Sequence, residues 1–288
     1  MSSIDNAVIN AEVLQTMGKK ARRWFLLYGI LIAVFLVRGL LPWLIIFFTA
    51  PELGFFGSLT ATFSGDDGVH EIIEKSSPIL LMGGGIFLVF LFLHWLFMEP
   101  KNYGLHHEKF FHRHSVWFYA AVSIVLAAVT WHAIKISGIL GFAAVVGSTV
   151  FFIVHGFKQN AEAVEHRLLH EKKKTGLSDV SKIMYLEAID ATFSIDGVLG
   201  AFAFTFSLPL ILLGNGLGAI AVRQLTIGNI ERVKKYKYLK NGAMYSILFL
   251  GAFMVAEGFG VHLPVWLSPT ITILTLAFFM WKSVRELK

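Results

Sequence analysis

Residues 136–157 read Ile136-Ser-Gly-Ile-Leu-Gly-Phe-Ala-Ala-Val-Val-Gly-Ser-Thr-Val-Phe-Phe-Ile-Val-His-Gly-Phe157, twenty-two positions without one Asp, Glu, Lys or Arg. Wound as an α-helix at 1.5 Å per residue they are about 33 Å long, which matches a hydrocarbon layer roughly 30 Å thick. A soluble helix of this length would need a polar face to turn toward water.

Similar runs recur on both sides. Eight full spans are expected, at about Trp24–Phe48, Pro78–Met98, Val116–Ile134, Ile136–Phe157, Ile183–Phe206, Leu208–Ile227, Ala243–Val261 and Leu263–Trp281, and a partial span, Ser3–Met17, precedes them. The predicted fold class is all-α, a polytopic transmembrane helix bundle forming one integral membrane domain over residues 1–288. Composition agrees: 56% of the residues are hydrophobic, 27 are Phe and only 15% are charged, where a soluble domain carries about 25%. Met1 is followed by Asp5 and Asn6, not by a basic stretch and an apolar core, so no cleavable signal peptide is expected.

Lys and Arg placement gives the orientation. Twenty-one of the 25 basic residues fall in alternate connections, among them Lys19 to Arg23, Lys101 to Arg113, Lys158 to Lys182, Arg232 to Lys240 and the C-terminal Lys282, Arg285 and Lys288. The other side holds Lys75 and Lys135, while Arg38 and Arg223 lie inside spans. The basic side, with the C-terminus, is expected to be cytoplasmic, in a bacterial-type plasma (inner) membrane. The net charge of +6 is thus explained by a lipid bilayer as partner, and no nucleic acid is implied. The outer segment Thr49–Ser77 carries Glu52, Asp66, Asp67, Glu71 and Glu74 and reads as a solvated acidic loop, or as one that concentrates cations near an exit.

The chain repeats itself. Ser3-Ile4-Asp5 recurs as Ser194-Ile195-Asp196, and roughly 30 residues later each copy reaches a Gly nine positions before a Val-Arg, at Gly29…Arg38 and Gly214…Arg223. The first copy runs toward the basic side and the second away from it. This is an inverted-topology repeat, which places a binding site where the halves meet near the midplane. Repeat one covers about 1–98 and repeat two about 183–261; a helical pair at 116–157, a cytoplasmic loop at 158–182 and a final span at 263–281 complete the plan.

The segment Tyr185-Leu-Glu187-Ala-Ile-Asp190-Ala-Thr-Phe-Ser194-Ile-Asp196-Gly197 carries the chemistry. Even the low insertion scales charge about 2.5–3.5 kcal/mol for one Asp at a span centre, so three must face an interior that supplies cations. Glu187, Asp190 and Ser194 share a helical face, and Asp196 falls opposite unless the helix unwinds near Ser194–Gly197. Asp5, Asn6 and Glu12 come from repeat one. Asp5 lies thirteen residues before Gly18, and Asp196 thirteen after Ile183. Both therefore sit about 20 Å from the basic edge and can meet at one depth. Arg38 and Arg223 are ion-pair partners, which leaves Asp5, Glu12, Glu187, Asp190, Asp196 and Glu257 in excess of two Arg. That excess suits a divalent cation. Glu257 is also a candidate proton site for coupling. With no cysteine, disulfides, thiolate sites and cysteine nucleophiles are excluded. Oxygen donors favour Mn²⁺, Mg²⁺ or Ca²⁺. His94 and His155, near the basic ends of their spans, read as packing residues or as accessory ligands or proton carriers.

These residues resemble the TerC family, related to the LysE superfamily of exporters. The motifs are Ser3-Ile-Asp5-Asn6 and Glu187-x-x-Asp190-x5-Asp196, and the resemblance covers most of the chain. It is nearest to a longer branch known only as a domain of unknown function, where a run like Asp5-Asn-Ala-Val-Ile-Asn10-Ala also occurs. The resemblance implies Mn²⁺ export with the motif acids as ligands; relatives are linked to Ca²⁺ handling and to loading metal onto secreted proteins. That family usually places a Glu shortly before the Asp-Asn pair, a position that here would precede Met1, so an N-terminally truncated chain is expected.

Two rivals stand beside the transporter. His106, His107, His112 and His114, with His155, His166 and His170, could serve a membrane di-iron enzyme or a regulatory metal site, or simply be interfacial. A membrane scaffold that transports nothing is the other. No Gly-x4-Gly-Lys-Ser/Thr occurs, so any transport is gradient-driven. The chain is expected not to be an enzyme, to need no cofactor beyond its transported cation, and to be free to form homo-oligomers.

Overall fold

The computed structural model describes residues 17–29, 38–60, 67–100, 104–170, 179–180, 183–184, 195, 197–205, 207, 209–218 and 236–286. Its helices are α1 (Lys19–Trp24, continued by the π-helical turn Phe25–Gly29), α2 (Arg38–Thr49), α3 (Gly54–Thr60), α4 (Asp67–Met98), α5 (His106–Arg113), α6 (Phe118–Ile136), α7 (Gly138–His170), α8 (Pro209–Gly218), α9 (Leu239–Gly258) and α10 (Leu267–Arg285). No strand occurs among the described residues.

Five described stretches are long and apolar enough to cross a membrane: Lys75–Met98, Ser115–Ile136, Gly138–Phe157, Leu239–Gly258 and Leu267–Arg285. They correspond to five of the expected spans, with ends shifted by a few residues. The spans expected at Trp24–Phe48, Ile183–Phe206 and Leu208–Ile227 are described only in part, and Ser3–Met17 only at Met17.

Two segments read as loops are instead largely helical. Within Thr49–Ser77 the chain forms a 3-10 turn at Pro51–Leu53, then α3, and α4 already begins at Asp67. Glu71 and Lys75 pair at 2.8 Å across one turn of α4, the spacing at which opposite charges support a helix. The hydrogen bond from Lys75, and then its charge, hold Glu71 below the usual carboxylate range. At the other side α7 does not stop at Phe157 but runs to His170. Residues 158–170 are rich in Ala, Glu and Leu and contain no Gly or Pro, so helix propensity continues where apolarity ends.

Lipid tails are as apolar as the spans, so close packing, not water exclusion, holds transmembrane helices together, and small residues permit it. The centre of α4 meets α7 on one face and α9 on another. On the first face, a β-carbon on Gly83 would lie 3.1 Å from the Ala143 carbonyl oxygen, and one on Gly147 would overlap the Gly83 carbonyl. On the second, a β-carbon on Gly85 would lie 2.8 Å from the Gly251 carbonyl oxygen. Above these backbone contacts Phe87 and Phe90 pack edge-on to Phe151, with centroids 5.9 and 5.7 Å apart.

Ser137 alone joins α6 to α7, making a tight hairpin. The α9–α10 turn uses Gly260 at φ 83°, a left-handed conformation that costs glycine little. The outer spans present large apolar side chains outward; Ile124 is 68% and Ile273 65% exposed. A water-soluble surface does not gather such patches. Lys135 lies 5.1 Å from the Trp131 ring at one end, and Lys282 4.6 Å from Tyr238 at the other, the aromatic and basic pairing of a membrane interface. The protein is a multi-pass helical membrane bundle.

Candidate functional site

Asp5, Asn6, Glu12, Glu187, Asp190, Ser194, Asp196 and Arg223 lie outside the described residues, as does the Ser-Ile-Asp repeat except Ile195. What flanks them is described. The Gly18 amide donates a hydrogen bond to Asp179 Oδ2 at 3.2 Å, and both Met17 and Ile183 are buried. The chain around Gly18 is thus tied to the chain around Asp179. Just beyond Asp196 the chain enters the core: Val198 and Phe202 are each 1% exposed, and Leu199 packs within the same cluster. Ile195 and residues 197–201 are helical. The unwinding considered for Ser194–Gly197 is therefore not present at Ile195 or Gly197.

Arg38 opens α2; its side chain lies outside the described set. Its neighbour Gly39 faces α8, where a β-carbon would sit 3.4 Å from Leu212 Cδ2. The ends of α2 and α8 are therefore adjacent at this point. Asn215 of α8 borders Gly197, its Oδ1 3.8 Å from the β-carbon position there. Sequence reasoning passed over this oxygen donor. A polar amide between two glycines of an apolar run, Gly214-Asn215-Gly216, was the available signal. Glu257 stands one residue from the end of α9, at the membrane edge opposite the basic loops, and interacts with His262 in the following turn. It is a rim residue, half-buried.

The structure brings His94 and His155 together. Their rings are 3.8 Å apart at an angle of 52°, across the contact between α4 and α7. His155 stacks on Phe151 at 5.7 Å and 5°, its Nε2 lies 3.0 Å from Gln159 Nε2, and His94 meets Phe118 edge-on at 5.5 Å.

The other histidines do not converge. His107 Nε2 lies 2.6 Å from the Tyr245 hydroxyl, His112 Nδ1 3.1 Å from the Phe97 carbonyl oxygen, and His114 Nδ1 2.8 Å from that of Phe110. His106 is exposed, and the side chains of His166 and His170 are not described. Among the described residues no three His, Asp or Glu side chains are grouped to hold a metal.

An open cleft of about 840 Å³ lies between α2, α4, α7 and residues 195–199. Its wall is mostly apolar. Glu52, Lys75 and Ser76 line one part, and Ile195 and Leu199, the neighbours of Asp196, line another.

Over residues 4–288 the chain matches the family described as protein of unknown function (DUF475). It is 28% identical over 104 residues to an uncharacterized membrane protein of Rickettsia prowazekii, covering 36% of this chain and 35% of that one. A Rickettsia bellii membrane protein is 28% identical over 102 residues, 35% of this chain and 33% of that one. A UPF0053 protein of Haemophilus influenzae is 25% identical over 118 residues, 40% of this chain and 49% of that one. The alignments thus span between a third and a half of these relatives. No solved structure matches significantly.

Proposed function

The chain belongs to the DUF475 family, and we propose that it is a secondary transporter exporting a divalent cation, foremost Mn²⁺, through a midplane site formed by Asp5, Asn6, Glu187, Asp190 and Asp196. The observation that carries this reading is the burial of Val198 and Phe202 directly after the acidic segment. A chain that enters a membrane bundle just past three carboxylates has a use for them there, since each uncompensated acid costs about 2.5–3.5 kcal/mol on the low scales. Arg38 and Arg223 offset two, and the remaining negative charge binds the cargo. Oxygen donors without thiolate suit Mn²⁺, Mg²⁺ or Ca²⁺, and the TerC resemblance favours Mn²⁺. The anchor between Gly18 and Asp179 supports a site shared by both repeats. The cleft from Ile195 to Glu52 and Lys75 supports an exit on the outer side. His94 and His155 stand near the entry side as accessory groups. The orientation is that of a bacterial inner-membrane protein with a cytoplasmic C-terminus, and the cation is cargo, so no chemical reaction is assigned.

The test is cation flux into proteoliposomes holding the purified chain, with Mn²⁺, Mg²⁺ and Ca²⁺ compared. The expected result is saturable Mn²⁺ flux, lost in Asp196→Asn and in Glu187→Gln while both variants elute like the parent. Undiminished flux in both variants would overturn the ligand assignment. No flux of any of the three ions would replace the transporter with a scaffold or metal-loading role.

A further inference from the structure

The cleft between α2, α4 and α7 is walled by hydrocarbon for most of its length. On α4 the wall runs from Ile79 through Gly83 to Phe87, and on α7 from Ile139 to Val150. Gly83 and Gly147, whose backbones touch, belong to its lining. Phe48, Ile139, Phe142 and Val146 line it too and are exposed on the outside of the spans. The cleft therefore opens sideways, toward the bilayer. At that depth there is no water to fill an apolar space, and the material beside it is lipid tail. At 1.5 Å per residue the two walls are about 12 and 16 Å long, close to the roughly 15 Å of one leaflet's hydrocarbon. The volume of about 840 Å³ is that of a ligand site, commonly about 300–1,000 Å³.

The polar part of the lining is gathered at one end, where α4 leaves the apolar layer. There stand Glu52, Lys75 and Ser76. Lys75 pairs with Glu71 at 2.8 Å, but both side chains are exposed, so the pair itself is weak. A Lys ammonium has three donors, which leaves it able to hold a second oxygen. The rim thus offers one amine between two carboxylates, Glu71 and Glu52. A headgroup with net negative charge meets more repulsion than attraction there. A phosphate joined to a primary ammonium matches both signs, the phosphate for Lys75 and the ammonium for Glu52. A choline headgroup has the same net charge but no N–H to donate.

We propose that the cleft is a phospholipid site, in which one acyl chain lies along α4 and α7 and an ethanolamine headgroup sits at the rim on Lys75 and Glu52. The apolar walls hold the tail, Lys75 holds the phosphate, and Glu52 selects the headgroup. Binding uses none of the acids assigned to the cation, so it stands whether or not metal is transported. Where export runs through this cleft, the seated tail occupies part of the path, which ties export to the lipid.

The experiment is photolabelling of the full chain in phosphatidylcholine vesicles that carry a trace of phosphatidylethanolamine with a diazirine on its acyl chain, followed by peptide mapping. No divalent cation is added, so the outcome is separate from that of the flux assay. Labelling is expected at Phe142 and Val146 well above that at Ile124, an exposed residue of α6 outside the cleft. Labelling no higher than at Ile124 would mean general lipid contact and overturn the site. The same probe with a choline headgroup should label the cleft about tenfold less, the worth of one charge-assisted hydrogen bond, and Glu52→Ala should bring the two probes level. Equal labelling by both probes in the parent, or an undiminished ethanolamine advantage in Glu52→Ala, would overturn the headgroup assignment. Val146→Trp adds bulk at an exposed lining position. It should lose the labelling at Phe142 while eluting like the parent, and retained labelling would overturn the place of the tail.

Discussion

Replacing Gly147 by Ala puts a methyl group where the Gly83 carbonyl already stands. The β-carbon would overlap that carbonyl oxygen and lie 2.8 and 2.9 Å from the Gly83 carbonyl carbon and Cα. All of these atoms are helix backbone, so no side chain can swing aside. To regain carbon contact distances of about 3.5–4.0 Å, α7 must back away from α4 by about 1 Å, a gap that forfeits up to about half of each dispersion contact it opens. The paired rings of Phe87, Phe90 and Phe151 sit across the same seam. Overpacking typically costs about 1–3 kcal/mol, and two rigid backbones put this case near the top. Exchanging Gly for Ala within a helix returns about 0.5–1 kcal/mol. The expected net loss is about 2 kcal/mol, or about thirtyfold in the folding equilibrium. Gly156, on the same helix, has nothing within 4 Å of its β-carbon position. Gly156→Ala should therefore gain the same helix term of about 0.5–1 kcal/mol without the clash. Unfolding of both purified variants in mixed micelles, titrated with SDS and followed by tryptophan fluorescence, separates the two. If Gly147→Ala proves as stable as Gly156→Ala, α4 and α7 do not meet backbone to backbone and this account of the bundle fails.

His155→Phe keeps a ring to stack on Phe151 and meet His94 while removing the contact with Gln159; it should cost no more than about 1 kcal/mol in the same titration, and a larger loss would mean the imidazole does more than pack. The Tyr238 hydroxyl is raised to about 12, first by its hydrogen bond to Glu286, then by burial and by the charges of Glu286 and Glu108. An ordinary tyrosine ionises near about 10. The folded protein thus keeps a proton that the unfolded chain has begun to lose. The stabilisation is complete below pH about 10 and is lost as pH rises toward about 12. Glu286→Gln should move one late phenolate absorbance step, the one that Tyr238→Phe removes, to lower pH, and an unmoved step would contradict the assignment.

Much of the fold was legible because a span advertises itself. The run ending at Phe157 contains no charge, and α6, α7, α9 and α10 fall where such runs fall. What hydropathy could not mark were helices continuing past the apolar boundary. Asp67 to Lys75 and Lys158 to His170 are charged, so they looked like loops, yet ion-pair spacing and helix-forming residues keep them wound. The acids of repeat two were plain from sequence because a carboxylate in an apolar run is conspicuous whatever surrounds it. The meeting of His94 with His155 was not, since a contact between distant spans leaves no local pattern. Glu108 looked like one more charge in a histidine-rich connection, yet it is buried. Its signal was amphipathic: Leu105, Glu108 and Phe111 share one face at three-residue spacing, and that face turns inward.

The glycine seams on α4 have a mechanical consequence. Side chains can slide or change rotamer when helices shift, but carbonyl groups pressed against α-carbons cannot. With Gly83 on Gly147 and Gly85 on Gly251, α4, α7 and α9 are welded along their middles into a single stator. Any opening and closing of the protein must then be carried by elements outside these seams, and the joints of that moving part are softer. At Gly39 the neighbour is the flexible tip of Leu212, and between Gly84 and the segment after Ile195 it is the end of Leu199. Hinges belong where the chain yields, and those side-chain contacts mark the slip planes along which a rotor would turn.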